Sequence, residues 1–204
     1  MRESLADRLA ERLRRPLPGL HSQRRMAPTG RISPDYDPDP PGAYHAAVLA
    51  VITSSHELVY IRRAEEAGPH SRQIAFPGGA RERGDADLEA TALRETYEEI
   101  GVSSDSLVVL GALTPIYIGV SNFTVHPFIA YAPGPLVFRC QRSEVEEAIP
   151  LPITRLAEAA ATRQLERRGA LDSVPCYAFD SLVIWGATAM ITAELLDVLH
   201  DVES

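Results

Sequence analysis

The sequence predicts an α/β fold in which a mixed sheet is covered on both faces by helices. Two observations lead there: short apolar, β-branched runs are interleaved with stretches of helical periodicity, and a glycine turn at 76–79 feeds a helix rich in carboxylates. With 45% hydrophobic and 24% charged residues, the 204-residue chain can bury one sizeable core without needing a second.

The chain divides into an N-terminal helix with a proline-rich arm, 1–42, and a catalytic-sized domain, 43–204. Leu5, Leu9 and Leu13 form one helical stripe, and the polar, proline-rich stretch from Pro16 to Pro41 is expected to lie extended over the domain. The run from Ala46 to Ile52 reads as a buried strand, and 58–63 as its hairpin partner after a turn at Ser54 to Glu57. Further strands are expected at Leu107 to Leu113, Thr124 to Tyr131 and Val137 to Cys140, with a loop at Ala132 to Pro135. Residues 154–168 and 182–201 read as helices, the second amphipathic through Ile184, Ala187, Ile191, Leu195 and Leu199, with Trp185 and Met190 in or near the core.

Between these lies the most informative element. Asp85 or Asp87 can cap a helix that Gly101 ends in the left-handed conformation. Leu88, Ala92 and Ile100, helped by Leu93 and Tyr97, give it an apolar side. Glu95, Glu98 and Glu99 then fall within about one turn, since positions three and four apart are neighbours on a helix. Such a cluster is self-repelling by a few tenths of a kcal/mol per pair, roughly, unless a cation offsets it. A hard divalent ion, Mg²⁺ or Mn²⁺, is the matching partner for carboxylate and phosphate oxygens.

The formal net charge of −8 argues against a general nucleic-acid binder. It is compatible with a phosphate-bearing substrate, because metal ions bridge acids to anionic oxygens, and Arg62, Arg63, Arg72, Arg81 and Arg83 gather near the carboxylates in sequence. No stretch is long and apolar enough to span a membrane. Met1 to Arg15 lacks the apolar block of a secretory signal, and Cys140 and Cys176 make neither a disulfide framework nor a zinc pattern. A cytoplasmic location is expected.

Residues 76–102 resemble the signature of the Nudix hydrolases, Gly-x5-Glu-x7-Arg-Glu-U-x-Glu-Glu-x-Gly-U with U aliphatic. Arg94, Glu95, Glu98, Glu99, Gly101 and Val102 match its second half, and Thr96 stands at an aliphatic position. A strict count places Ala80 and Ala86 at the first glycine and acid; one inserted loop residue places Gly79 and Asp85 there, with Glu82 as an acid of the turn. The resemblance implies an α/β/α sandwich with a loop-helix-loop metal site. It implies metal ligation by Glu95, Glu98 and Glu99, with catalytic roles for Glu98 and Glu99. Arg94 would orient a carboxylate, and Gly78 and Gly79 would bring the backbone close to the metal and phosphate.

Residues 62–79, 114–131 and 184–191 also resemble the coenzyme A pyrophosphatases of that family, and the likeness covers about residues 43–200. Counting back from Phe76, Arg72 and Gly68 exchange the glycine and arginine of that subfamily's pattern, while His70, Gln73 and Ile74 fit its bacterial form. The implied reaction is metal-dependent hydrolysis of the diphosphate of coenzyme A or its thioesters, giving 4'-phosphopantetheine or its acyl form and adenosine 3',5'-bisphosphate. Alternatives are a hydrolase of ADP-ribose or another nucleoside diphosphate derivative, and a nucleotide-binding sensor without catalysis. Arg63, Arg72 and Asn122 are candidate substrate contacts, with Ser121 and Phe123 beside Asn122 in the cleft. The resemblance places an acid at Glu144, the choice for the general base over Glu146, Glu147 and His126; the segment 143–147 reads as a charged loop or helix start. Monomer and homodimer are both compatible with the sequence.

Overall fold

The computed structural model describes residues 4–65, 72–167, 170–179 and 181–203; Gly68 and His70 lie outside them. In chain order the elements are α1 (Leu5–Leu13), α2 (Leu20–Gln23), β1 (Tyr44–Thr53), β2 (Glu57–Arg63), β3 (Ile74–Ala75), β4 (Gly78–Ala80) and α3 (Leu88–Ile100). They continue with β5 (Val108–Ala112), β6 (Ile116–Ile118), β7 (Phe123–Ala132), β8 (Val145–Pro152), α4 (Ile153–Glu158), β9 (Ala160–Arg167), β10 (Ala170–Phe179), β11 (Leu182–Trp185) and α5 (Gly186–Glu203).

Strand β1 organises the molecule. It pairs antiparallel with β2 and β4 and parallel with β7, in a register running from Tyr44 opposite Phe123 to Thr53 opposite Ala132. The resulting mixed sheet has the order β3-β2-β1-β7-β5, with β8 added on β2 and β6 on β7. Because side chains alternate along a strand, Ala47, Leu49 and Val51 pack with Ala92 and Ile100 of α3, while Ala50 and Ile52 join the cluster containing Leu195, Val198 and Leu199 of α5. Burial on both faces explains why β1 reads as an unbroken apolar run. Each buried Leu, Ile or Val contributes about 1.5–3 kcal/mol, so the two sets hold a helical layer on either side, an α/β/α sandwich.

The N-terminal segment belongs to the α5 side. Leu9, Leu13 and Met26 enter the same core as α5, and Ser4 closes a capping box with Asp7 at the start of α1. The proline-rich stretch is not extended throughout: Gly19, at φ 53°, admits the short helical turns Leu20–Gln23 and Arg24–Met26. These turns are tied down by a fully buried carboxylate. Glu194 accepts hydrogen bonds from Gly19 N (3.1 Å), Gln23 Nε2 (2.8 Å) and the Thr114 hydroxyl (2.6 Å). Glu194→Ala strands these donors and is expected to cost about 2–3 kcal/mol in a denaturant titration; an unchanged midpoint would contradict the account.

A second tether links Arg25 to Asp197, at 2.7 Å and 2.9 Å. Burial alone raises the Asp197 carboxyl, but hydrogen bonds from Arg25 and Ser22 and the Arg25 charge outweigh it and hold the group below the usual carboxylate range. A depressed folded-state pKa gives stability that is complete above the unfolded value of about 3.9 and is lost as pH falls through the folded one. Asp197→Asn is therefore expected to flatten the acid limb of the stability–pH curve, with little of the difference remaining in slope above pH of about 5.

Several sequence expectations are corrected. The helix expected over 154–168 stops at Glu158, and Ala160–Arg167 is strand β9, paired with β10 from Ala160 opposite Tyr177 to Arg167 opposite Ala170. Its Ala, Arg and Gln residues favour helix locally, and cross-strand pairing overrides them. The last helix begins at Gly186 because Leu182–Trp185 pairs with β10. No strand forms at 137–140; there the Arg139 and Gln141 N–H groups donate to Ile100 O and Glu99 O and finish the end of α3. The acidic segment expected as loop or helix start enters strand β8 at Val145. Tyr97, placed by periodicity on the apolar side of α3, is 61% exposed.

Candidate active site

Helix α3 is fixed at both ends. Asp87 is its cap, in extended conformation with its carboxylate accepting from Ala90 N at 2.8 Å, and Gly101 closes it at φ 71°. Thr96 is tolerated at an interior position because its hydroxyl donates to Ala92 O at 2.7 Å. The helix thereby presents Glu95 and Glu99 to β4, whose Gly79 lies opposite Ala47 of β1.

The two glycines let a strand pass directly over the carboxylates. Gly78 N–H donates to Glu99 Oε2 at 2.9 Å. At φ 153°, a Cβ on Gly78 would lie 2.3 Å from Ala47 O and 2.6 Å from Val48 Cα. On Gly79 it would lie 2.5 Å from the Glu95 carboxylate carbon.

Arg94 gathers the acids. Its Nε and Nη2 grip Asp85 at 2.9 Å and 3.1 Å, Nη2 also donates to Ala80 O at 3.1 Å, and Nη1 reaches Glu95 at 2.8 Å and Glu98 at 2.9 Å. Asp85 is not the helix cap; it anchors this guanidinium and accepts further bonds from Glu82 N and the Thr91 hydroxyl. The Arg94 hydrogen bond, followed by that from Glu82 N–H, holds the Asp85 carboxyl well below the usual range.

Glu99 is 1% exposed. Burial pushes its carboxyl up to about 7, against the downward pull of the Gly78 N–H and the Arg63 charge; Glu95 and Glu144 raise it further. Burial likewise raises Glu95. Arg63 Nη1 stands 3.6 Å from Glu99 Oε1, and its Nε is buried without a hydrogen-bond partner among the described residues. The Gly78 N–H and the Arg63 charge thus do not offset the effect of burial on Glu99. Glu95 and Glu98 share the Arg94 guanidinium with Asp85, so the acids outnumber the cations here; an all-carboxylate set suits a hard divalent ion such as Mg²⁺ or Mn²⁺, and Glu95, Glu98 and Glu99 are the residues that could hold it.

Beside them is an open groove of about 470 Å³ lined by Tyr97, Glu98, Gly101, Arg139, Gln141 and Glu144. Glu144 is set there by its backbone: its carbonyl accepts from Ala64 N at 2.8 Å and its N–H donates to Gln141 O at 2.9 Å. The structure therefore brings Arg63, Gly78, Gly79, Arg94, Glu95, Glu98, Glu99 and Glu144 into one region. It does not do the same for Arg72, which is exposed and 3.9 Å from Glu65, or for Arg62, paired with Glu147 at 2.9 Å. Asn122 ties the β6–β7 turn to the segment before β1, donating to Gly42 O and accepting from the Tyr117 hydroxyl. Phe123 is opposite Tyr44, three residues along β1 from Ala47, or about 10 Å at the usual strand rise. His126 contacts His45, and burial lowers its pKa. Arg139 and Gln141 carry no signal in the sequence, and Tyr97, adjacent to the acids on the helix, reads there only as part of its apolar side.

Comparison with known proteins agrees with this architecture. A NUDIX domain model matches residues 43–171. A Salmonella paratyphi B protein described as an uncharacterized Nudix hydrolase NudL is 33% identical over 154 residues, spanning 74% of this chain and 80% of its own. The corresponding Salmonella enteritidis protein shows the same identity and coverage. Among solved structures, a MutT/nudix family protein from Enterococcus faecalis superposes with a TM-score of 0.51 at 14% identity, covering 84% of this chain and 65% of that one, a likeness of fold. The chain belongs to the Nudix hydrolase family.

Proposed function

We propose that this hydrolase splits the diphosphate of coenzyme A or its thioesters, releasing 4'-phosphopantetheine or its acyl form and adenosine 3',5'-bisphosphate. The observation that carries the hydrolytic reading is Glu99 set against Gly78 and Glu95 against Gly79, with Glu98 held by the same Arg94 as Glu95 and lining an open groove. The choice of coenzyme A is supported by the likeness of residues 62–79, 114–131 and 184–191 to coenzyme A pyrophosphatases.

Glu95, Glu98 and Glu99 would hold Mg²⁺ or Mn²⁺, which would shield the phosphoryl oxygens and make a bound water more acidic. Arg94 fixes the rotamers of Glu95 and Glu98, and the Gly78 N–H fixes Glu99. Glu144, lining the same groove as Glu98, takes a proton from the attacking water as its oxygen bonds to phosphorus and the bridging P–O bond breaks. Arg63 lies beside Glu99 with its buried Nε unpartnered among the described residues, a cation that would stabilise charge on phosphoryl oxygens brought to the acids. The complete acidic set favours catalysis over nucleotide sensing without turnover.

The test is product analysis of the purified protein with Mg²⁺ or Mn²⁺, offered coenzyme A, ADP-ribose and NADH separately. Metal-dependent release of adenosine 3',5'-bisphosphate from coenzyme A, at a higher kcat/KM than for the others, is the expected result. Preferred cleavage of ADP-ribose would reassign the substrate within the family.

A further inference from the structure

A second cluster of metal-ligating side chains includes none of the α3 carboxylates. His45 of β1 and His126 of β7 come from strands paired in parallel, Ala47 facing His126 and His45 facing Thr124. On β1, Ala47, Leu49 and Val51 point to the α3 side; on β7, Phe128, Ala130 and Ala132 do so. By strand alternation both imidazoles project from that same face. His45 Nδ1 and His126 Nε2 are 3.1 Å apart, with ring centroids separated by 5.3 Å. The third member is Asp39, from the proline-rich arm, with its carboxylate 3.8 Å from His45 Nδ1. One ligand atom from each of the three lies within 4.8 Å of the others.

The geometry points to a binding site for a borderline transition-metal cation, Zn²⁺ in the first instance, formed by Asp39, His45 and His126. Two imidazole nitrogens and a carboxylate oxygen are a donor set suited to zinc rather than to the hard ions favoured by an all-carboxylate site. In a tetrahedral site with bonds of about 2.0–2.1 Å, neighbouring ligand atoms are about 3.3 Å apart. The 3.1 Å and 3.8 Å separations bracket that distance. The His45 and Asp39 side chains are 40% and 45% exposed, so solvent can supply a fourth ligand. The three residues come from the arm and from two strands 81 positions apart in sequence at His45 and His126. Binding would thus fasten the arm to the sheet.

The site has a simple competitor: a neutral His45–His126 hydrogen bond oriented by Asp39, with no ion. Zn²⁺ binding, measured by competition with a chromophoric chelator in excess Mg²⁺, separates the two. The expected result is one Zn²⁺ per chain, retained in a Glu95→Gln/Glu98→Gln protein and weakened at least about tenfold by His45→Gln or His126→Gln. Co²⁺ in place of Zn²⁺ should give a visible absorption band that the same histidine variants abolish. Asp39→Asn, at an exposed position, provides a variant that leaves the sheet intact if His126→Gln disturbs folding. Absence of Zn²⁺ binding in excess Mg²⁺, or binding lost in the glutamate variant and unchanged in the Asp39 and His45 variants, would overturn the assignment.

Discussion

Glu98→Gln and Glu99→Gln are each expected to lower kcat by about 10²–10³, the range seen when a group stabilising transition-state charge is removed. A neutral amide can occupy the same volume but donates little charge to a cation. The effect on stability should differ from the effect on rate. Glu98 has a side chain 54% exposed and bonds to Arg94 at the surface, so Glu98→Gln should melt near the wild-type temperature. Glu99 is buried beneath Gly78, and Glu99→Gln can keep its oxygen on the Gly78 N–H while relieving the cost of a buried charge. Its fold should therefore be at least as stable even as turnover falls. Steady-state kinetics across a Mg²⁺ titration, beside thermal melts, checks both statements; unchanged turnover with unchanged metal dependence would sink the roles of these residues.

The second large effect separates the strand from the carboxylates it covers. Gly78→Ala drives a Cβ into the backbone of β1, with Ala47 O at 2.3 Å, at a backbone angle that L side chains rarely adopt. Backbone cannot rotate away, and the combined overpacking and strain are expected to cost about 3 kcal/mol or more. Gly79→Ala instead meets the Glu95 carboxylate, the movable end of a side chain. It should spare most of the stability and displace Glu95, lowering activity or apparent metal affinity by about 10–100-fold. A denaturation curve with a metal-dependent activity profile for both variants tests this division. Equal behaviour of the two would contradict the reading of the turn.

The helix and its chemistry were legible because their signals are local. Gly101 was identified as the stop, the carboxylates follow from helical spacing, and the strand signals of β1 and β2 are strong over short windows. What stayed hidden depends on partners distant in sequence. Nothing near Glu194 announces that Gly19, Gln23 and Thr114 will satisfy a carboxylate in an apolar helix. The His45–His126 contact exists only through the parallel register of β1 and β7. Asp85 and Asp87 were equivalent as caps until the reach of Arg94 claimed one of them. Strand β9 was hidden because its residues suit a helix until β10 lies beside them. Tyr97 was misplaced since periodicity locates a face of the helix but not the edge of the layer that covers it.

The central claim, that Glu95, Glu98 and Glu99 form the divalent-ion site, is most directly tested by Mn²⁺ titration followed by electron paramagnetic resonance on the wild type, Glu98→Gln and His126→Gln proteins. The account predicts binding in the wild type that weakens by at least about tenfold in Glu98→Gln and persists in His126→Gln. Undiminished Mn²⁺ binding in Glu98→Gln, together with its loss in His126→Gln, would contradict it and move the ion to the His45–His126 pair.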